Sequence, residues 1–317
     1  MKFLQRATVL LLFLALAAGA TFYCAPLRVN DQLIRYKLWR AGVHSEYIQA
    51  GPYRLHYFEA GPSDGSSLVL VHGLGSRGED WAPLIPGLAA AGFHVYVPDL
   101  PGYGRSPKPD ISYSISTQAR TVIDFMHAVH LEHANLGGWS MGGWVVARLT
   151  LDHPEMVDRL AMYDAAGVYF PRTFDASLFL PTDAAGLDHL NAMLYPKPRP
   201  LPAFVARDAI HKLQANRMVI ERSVAAMLNG RDLLDFRLHQ IAKPTLIVWG
   251  KEDRLIPLVT GEKMHREISQ SVLFVIEDCG HLAPGECAPP ILKETVAFFT
   301  ANPALPRSET TVPHPAS

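Results

Sequence analysis

The stretch that decides the fold reads Asn135-Leu136-Gly137-Gly138-Trp139-Ser140-Met141-Gly142-Gly143. Residues 135–138 have the apolar, small-residue character of a short buried strand. Residues 142–151 carry apolar side chains at helical spacing. Between them, Gly138 to Gly142 spells G-x-S-x-G, a pattern that carries meaning only when a strand precedes it and a helix follows. The physical reason is steric. A tight strand-to-helix turn pushes the serine oxygen outward, and only glycine on either side lets strand and helix approach so closely. The N–H groups opening the helix then face the same point and favour a developing negative charge. Ser140 is therefore the candidate nucleophile. A chance glycine-rich turn is the competing reading, and the strand–helix context weighs against it.

Reading outward, short apolar runs alternate with helical segments. Residues 53–59 alternate like an edge strand. Runs at 68–71, 95–98, 135–138, 160–164, 245–249 and 272–276 read as buried strands, and 118–129 and 142–151 as helices. This alternation implies an α/β architecture, a mostly parallel sheet with helices on both faces. About eighty residues separate the strand near Asp164 from the one at Thr245, far longer than an ordinary crossover. Within them 187–194 and 209–228 look helical, separated by Pro196, Pro198, Pro200 and Pro202. An inserted helical cap accounts for the length, and it falls at the sheet edge where such folds place ligands.

Several strands run straight into loops with reactive or glycine-rich residues: His72-Gly73-Leu74-Gly75, then Asp99-Leu100-Pro101-Gly102-Tyr103-Gly104-Arg105-Ser106, Gly250-Lys251-Glu252-Asp253, and Gly280-His281. An unactivated serine is a weak nucleophile and needs a base, and that base needs a carboxylate to fix its tautomer. His281 is the candidate base and Asp253 the candidate acid, each in a loop just after a strand. Glu252 competes with Asp253, and Asp99 is an alternative acid whose setting reads as loop architecture.

Together with the elbow, these loops resemble the α/β-hydrolase fold, in particular its lid-bearing serine esterases and lipases, over about residues 53–301. The elbow sequence, cap length and apolar N-terminus are similar to membrane-associated monoacylglycerol lipases and their bacterial relatives. The resemblance implies a Ser140–Asp253–His281 triad in the chain order this fold uses. It also implies an oxyanion hole made by the backbone N–H groups of Leu74 and Met141, with His72 shaping that loop. Trp139 is a candidate substrate-binding residue beside the nucleophile. Leu178, Phe179, Leu180, Leu194 and Phe204 are cap residues that either contact a lipid chain or form the cap's own core.

Composition narrows the chemistry. Apolar residues make up 49% and charged residues 19% of the 317, enough for a sizeable core and too apolar for wholesale disorder. A net charge of -1 argues against nucleic acid as a partner. Three cysteines are too few for a disulfide scaffold. Cys279 and Cys287 bracket His281, and their spacing leaves pairing open. No Cys or His spacing reads as a metal site, and the expected chemistry uses no cofactor.

The uncharged run at 7–23, preceded by Lys2 and Arg6, reads as a cleavable signal ending near Ala20 or as an uncleaved membrane anchor. Asn30 and Gly42 bound a mixed apolar and basic helix that either lies on a membrane surface or packs on the domain. The expected division is 1–26 signal or anchor, 27–50 linker and amphipathic helix, 51–166 and 241–301 catalytic core, 167–240 cap, and 302–317 a disordered tail. The expected location is membrane-anchored, periplasmic or secreted, and no oligomeric state follows.

The leading expectation is hydrolysis of carboxylic esters, monoacylglycerols among them, through an acyl-enzyme. A C–C hydrolase or cofactor-free perhydrolase on the same triad is the alternative, as is a non-enzymatic binding protein of this fold. C–C hydrolases of the fold usually carry an aromatic residue directly after the histidine, where this chain has Leu282. Dehalogenases and epoxide hydrolases use an aspartate in place of Ser140.

Overall fold

The structure, a computed structural model, describes residues 2–313, with several side chains between positions 2 and 18 outside that description. The strands are β1 (His44–Ala50), β2 (Tyr53–Ala60), β3 (Ser66–Val71), β4 (Phe93–Pro98), β5 (Ala134–Trp139), β6 (Val157–Tyr163), β7 (Thr245–Gly250), β8 (Ser271–Ile276) and β9 (Ser308–Val312). They form one sheet in the order β1-β2-β4-β3-β5-β6-β7-β8-β9. β2 is antiparallel to both its neighbours, and every pair from β4 to β9 is parallel.

The helices are α1 (Lys2–Cys24), α2 (Pro26–Arg40), α3 (Ile85–Ala90), α4 (Ile115–Ala128), α5 (Met141–Asp152), α6 (Ala184–Leu194), α7 (Ala203–Ala215), α8 (Arg217–Leu228), α9 (Leu258–Glu267), α10 (Ala283–Glu286) and α11 (Ala288–Thr300). The central strands read as unbroken apolar runs because both faces of the sheet are covered. On β3, Val69 and Val71 enter the core shared with α4 and α5, while Leu68 and Leu70 enter the opposite core with Trp81 and Ile291. α6, α7 and α8 lie between β6 and β7 as a cap, and Asn216 breaks the expected 209–228 helix into α7 and α8.

Three expectations need correction. Residues 53–59 do not form an edge strand, because β1 pairs with each of them. β1 has mostly exposed side chains, so no buried face betrays it in the sequence. Residues 302–317 are not simply a disordered tail: β9 adds a parallel edge to β8, with Val272–Ile276 opposite Ser308–Val312. Only Val312 of that strand is partly buried, so the backbone ladder and the β-branched threonines, not a hydrophobic pattern, hold it. Residues 314–317 of that tail lie outside the described residues. The helix expected from Asn30 begins instead at Pro26, where the missing N–H costs nothing, and Asn30 sits inside it.

α2 packs on the catalytic domain. Its buried Asp31 accepts from Arg77 Nη1 at 3.0 Å and from Lys212 Nζ at 3.1 Å, and its Arg35 pairs with buried Glu79 at 3.3 Å. Burial works against the charge on Asp31, but Arg77 and Lys212 outweigh it and hold the carboxyl below its ordinary range. One aspartate thus ties α2 both to the segment after β3 and to cap helix α7. The opposite face of α2 leaves Leu33, Tyr36 and Trp39 exposed beside Lys37 and Arg40. At the end of α1, Phe22 and Tyr23 pack on Phe204 of the cap, with ring centroids 5.7 and 5.4 Å away. Phe204 therefore meets the N-terminal helix. Among the described residues, no helix is long and apolar enough to cross a membrane. The reading of 7–23 as an anchor falls partly on side chains outside the description.

Candidate active site

β5 ends at Trp139 and α5 begins at Met141, leaving Ser140 alone in the turn at φ 55° and ψ -118°. That left-handed backbone is unusual for a residue with a Cβ and marks strain held by its surroundings. The surroundings are close-fitting. A Cβ on Gly138 would lie 2.2 Å from the Gly142 carbonyl oxygen, and one on Gly142 would lie 2.2 Å from that of Val71. Ser140 N–H donates to Tyr163 O at 2.9 Å, which fixes the turn against the end of β6.

The structure brings Ser140, His281 and Asp253 together. Ser140 Oγ lies 2.9 Å from His281 Nε2, and His281 Nδ1 lies 2.7 Å from Asp253 Oδ2. All three are buried. Asp253 Oδ1 accepts the N–H groups of Leu255 and Ile256 at 2.9 and 2.8 Å, so the carboxylate cannot rotate freely. His281 is held by its backbone: its N–H donates to Leu194 O at 2.9 Å, and its carbonyl accepts the Trp139 indole N–H at 2.8 Å. This geometry suits proton transfer from Ser140 to His281 with Asp253 orienting the ring.

The remaining expected residues fall as follows. Met141 opens α5, so its N–H has no partner within the helix. The loop carrying Leu74 lies against the serine, since a Cβ on Gly73 would sit 3.2 Å from Ser140 Cβ. Leu74 and Met141 thus flank Ser140 from two elements, the arrangement an oxyanion hole requires. Trp139 lines the space around Ser140 and also braces the histidine loop through its indole N–H. Glu252 is exposed and does not share the acid position. Asp99 pairs with His56 at 2.7 Å and accepts backbone N–H groups from Gly78 and Arg105, so it organises its own loop. His72 is wholly buried, bonded to Gly73 O and Leu100 N–H, and burial pushes its imidazole below the ordinary range.

One residue beside the site was not foreseen. Asp164, at the end of β6 with φ 44°, is fully buried and accepts the Gly250 N–H at 2.7 Å, bracing the start of the acid loop. Burial, reinforced by the charge on Asp253, pushes its carboxyl well above the ordinary range, which favours the neutral acid. Cys279 and Cys287 form a disulfide across the histidine loop. Among the described residues, no group of His, Cys, Asp and Glu is arranged to hold a metal ion.

Two cavities meet at Ser140. One, of 160 Å³, is walled by Trp144, Val168, Phe170, Phe174, Val224 and Met227 with other apolar groups. Among the described residues, the only charged side chain on that wall is Arg172, which is exposed. The other, of 230 Å³, holds Ser140 with His281 and is more polar at Ser76 and Asp80. Leu74 and Phe179 line both, and Leu194 lines the second. Leu178 is buried cap core.

A family profile described as the alpha/beta hydrolase fold matches residues 67–286. A 2-hydroxy-6-oxononadienedioate/2-hydroxy-6-oxononatrienedioate hydrolase of Escherichia coli K12 is 32% identical over 273 residues, covering 79% of this chain and 92% of its own. A membrane phospholipase A, described as a bacterial virulence factor, superimposes with a TM-score of 0.78 at 28% identity, covering 94% of this chain and 98% of its own. A putative lipase from Acinetobacter baumannii AYE shares the fold, with a TM-score of 0.77 at 21% identity over 85% and 95% of the two chains. The chain belongs to the α/β-hydrolase family and is an enzyme of its hydrolase class.

Proposed function

We propose that the protein is a serine hydrolase of carboxylic esters with an apolar acyl chain and a polar alcohol. The observation that carries this reading is the apolar cavity that ends at Ser140, because it can desolvate an acyl chain while presenting its carbonyl to the serine. On the other side of Ser140 the lining stays largely apolar beside the serine and turns polar farther out. The 230 Å³ cavity shares Gly75, Ser76, Asp80, Leu213 and Ile220 with a neighbouring space that adds Arg77, Lys108 and Lys212. An amphiphilic ester matches that change of polarity.

In the proposed reaction, Ser140 Oγ attacks the ester carbonyl as His281 Nε2 takes its proton. Asp253 holds the proton on Nδ1 and stabilises the imidazolium. The N–H groups of Leu74 and Met141 receive the oxyanion. His281 then protonates the departing alcohol, and water attacks the acyl-enzyme by the same route in reverse.

The E. coli relative favours a second reading, C–C bond cleavage on the same triad. Its named substrate is a dienedioate with two carboxylates, whereas the apolar cavity here offers one exposed guanidinium. Leu282 after the histidine weighs the same way. A series of p-nitrophenyl esters and monoacylglycerols tests the ester reading. kcat/KM is expected to rise by roughly fourfold per added methylene until the cavity is filled, following ~0.8 kcal/mol per buried CH2. A flat series, with turnover of a 2-hydroxy-6-oxodienoate, would instead support the C–C hydrolase.

We also propose that the enzyme works at a membrane, on its oxidising side. Leu11, Leu12, Phe13 and Leu16 of α1 and Leu33 and Trp39 of α2 are exposed, which supports an apolar surface as their partner. The Cys279–Cys287 disulfide supports an extracytoplasmic catalytic domain. The full-length protein is expected to fractionate with membrane, and deletion of residues 2–24 is expected to release an active soluble domain that retains the Asp31 tie. Mass spectrometry of the N-terminus checks the first point. A mature chain that starts at Thr21 in the soluble fraction would replace the anchor with a cleaved signal.

A further inference from the structure

Where β1 and β2 meet the loop after β4, a second serine, histidine and aspartate stand in the relation that activates Ser140. Ser45 Oγ lies 3.1 Å from His56 Nε2, and His56 Nδ1 lies 2.7 Å from Asp99 Oδ2. The corresponding distances in the site already described are 2.9 and 2.7 Å. The strand register makes this contact. Tyr47 pairs with His56 across β1 and β2, so Ser45 is the diagonal neighbour two residues along on the same face. We propose that Ser45 is a second reactive serine, activated by His56 and Asp99, that accepts small acyl or phosphoryl groups.

The environment supports both halves of that role. His56 and Asp99 are completely buried, so bulk water does not compete for their mutual bond. Asp99 is further fixed by the N–H groups of Gly78 and Arg105 at 2.7 and 2.9 Å. Burial opposes its charge, but His56, His72 and the Arg105 N–H together bring its carboxyl below the ordinary range. With Nδ1–H donating to Asp99, the Nε2 lone pair faces the Ser45 hydroxyl, the tautomer a general base needs. Arg105 Nη1 donates to Ser45 Oγ at 2.9 Å and favours charge on that oxygen as its proton leaves. Arg105 is in turn held by Glu79 at 3.3 Å and lies over the Phe58 ring at 5.0 Å. Ser45 itself is exposed on an edge strand, where a small electrophile can reach it.

What this site lacks sets its scope. Ser45 lines none of the cavities around Ser140, so it has no pocket for a long acyl chain. Its partners are small, activated donors whose leaving group departs without assistance. With an organophosphorus fluoride, the Oγ–P bond forms and the P–F bond breaks, and fluoride leaves with the electron pair. The serine proton passes to His56 Nε2, which holds it as an imidazolium against Asp99.

The test uses the full chain carrying Ser140→Ala, so that only other serines can react, treated with diisopropyl fluorophosphate and read by intact mass and peptide mapping. One diisopropylphosphoryl group per chain is expected, on the peptide containing Ser45. Its rate should exceed that at exposed Ser177 or Ser308 by about 100-fold, the low end of general-base assistance. Adding Ser45→Ala should abolish the adduct. Adding His56→Gln instead should bring Ser45 down to the rate of the other serines. Should that variant fail to fold, the pH profile decides: a rate at Ser45 that climbs through a single ionisation below pH 9 supports a histidine base. No adduct at Ser45, or a rate equal to that at Ser308, would overturn the proposal.

Discussion

Ser140→Ala is expected to lower kcat for the preferred long-chain ester by roughly 10⁴–10⁶-fold, since members of a serine triad act as a unit. The substitution removes one oxygen and leaves the rest of the site in place. Its Cβ already sits in the left-handed turn of Ser140, so alanine adds no new steric demand at φ 55°. The lost contact is the 2.9 Å bond to His281 Nε2, and His281 keeps both its backbone anchors and its bond to Asp253. Circular dichroism and Tm should therefore match the parent protein while turnover collapses. The informative substrate is a long-chain ester, because the apolar cavity reaches Ser140 and does not reach Ser45. A folded Ser140→Ala protein that still hydrolyses such an ester at more than about a hundredth of the parent rate would remove Ser140 from the role of nucleophile.

The parts of this site that could be read in advance are those dictated by local chain chemistry. A G-x-S-x-G turn needs its glycines because the strand and helix backbones touch, and the 2.2 Å clearances at Gly138 and Gly142 are that requirement in three dimensions. The acid and the histidine were legible for a related reason: each follows a buried strand that ends at the same edge of the sheet. What was not legible depends on pairings between distant residues. Asp31 carries no mark in the sequence, because its partners Arg77 and Lys212 lie 46 and 181 positions away. Trp139 could be placed beside the serine, but its hydrogen bond to a carbonyl 142 positions on could not. β1 and β9 escaped because both are edge strands with almost no buried side chains, so hydrophobic alternation never marks them. Asp164 is the sharpest case. A carboxylate at the end of a strand reads as solvated, and only the fold reveals that it is sealed against the acid loop.

Asp253→Asn is expected to cost about 10⁴-fold in kcat, while Glu252→Gln leaves turnover within about twofold. The reason lies in how the carboxylate is held. Asp253 Oδ1 is committed to the N–H groups of Leu255 and Ile256, and only Oδ2 faces His281 Nδ1. An asparagine must keep its carbonyl oxygen toward those two backbone donors, because turning its NH2 group there would leave three donors opposed. Its NH2 therefore points at His281 and can only donate. That forces the imidazole into the tautomer with its proton on Nε2, which cannot take the proton of Ser140. The geometry survives and the chemistry fails. The exposed Glu252 makes no contact with the imidazole, so its neutralisation alters little beyond a surface charge. Steady-state kinetics of the two variants, with Tm to show that both are folded, checks the assignment. If Glu252→Gln were the inactive variant and Asp253→Asn the active one, the carboxylate that orients His281 would have been misassigned. Nuclear magnetic resonance of the histidine ring supplies an independent readout: the Nδ1 proton held against Asp253 should vanish in Asp253→Asn and persist in Glu252→Gln.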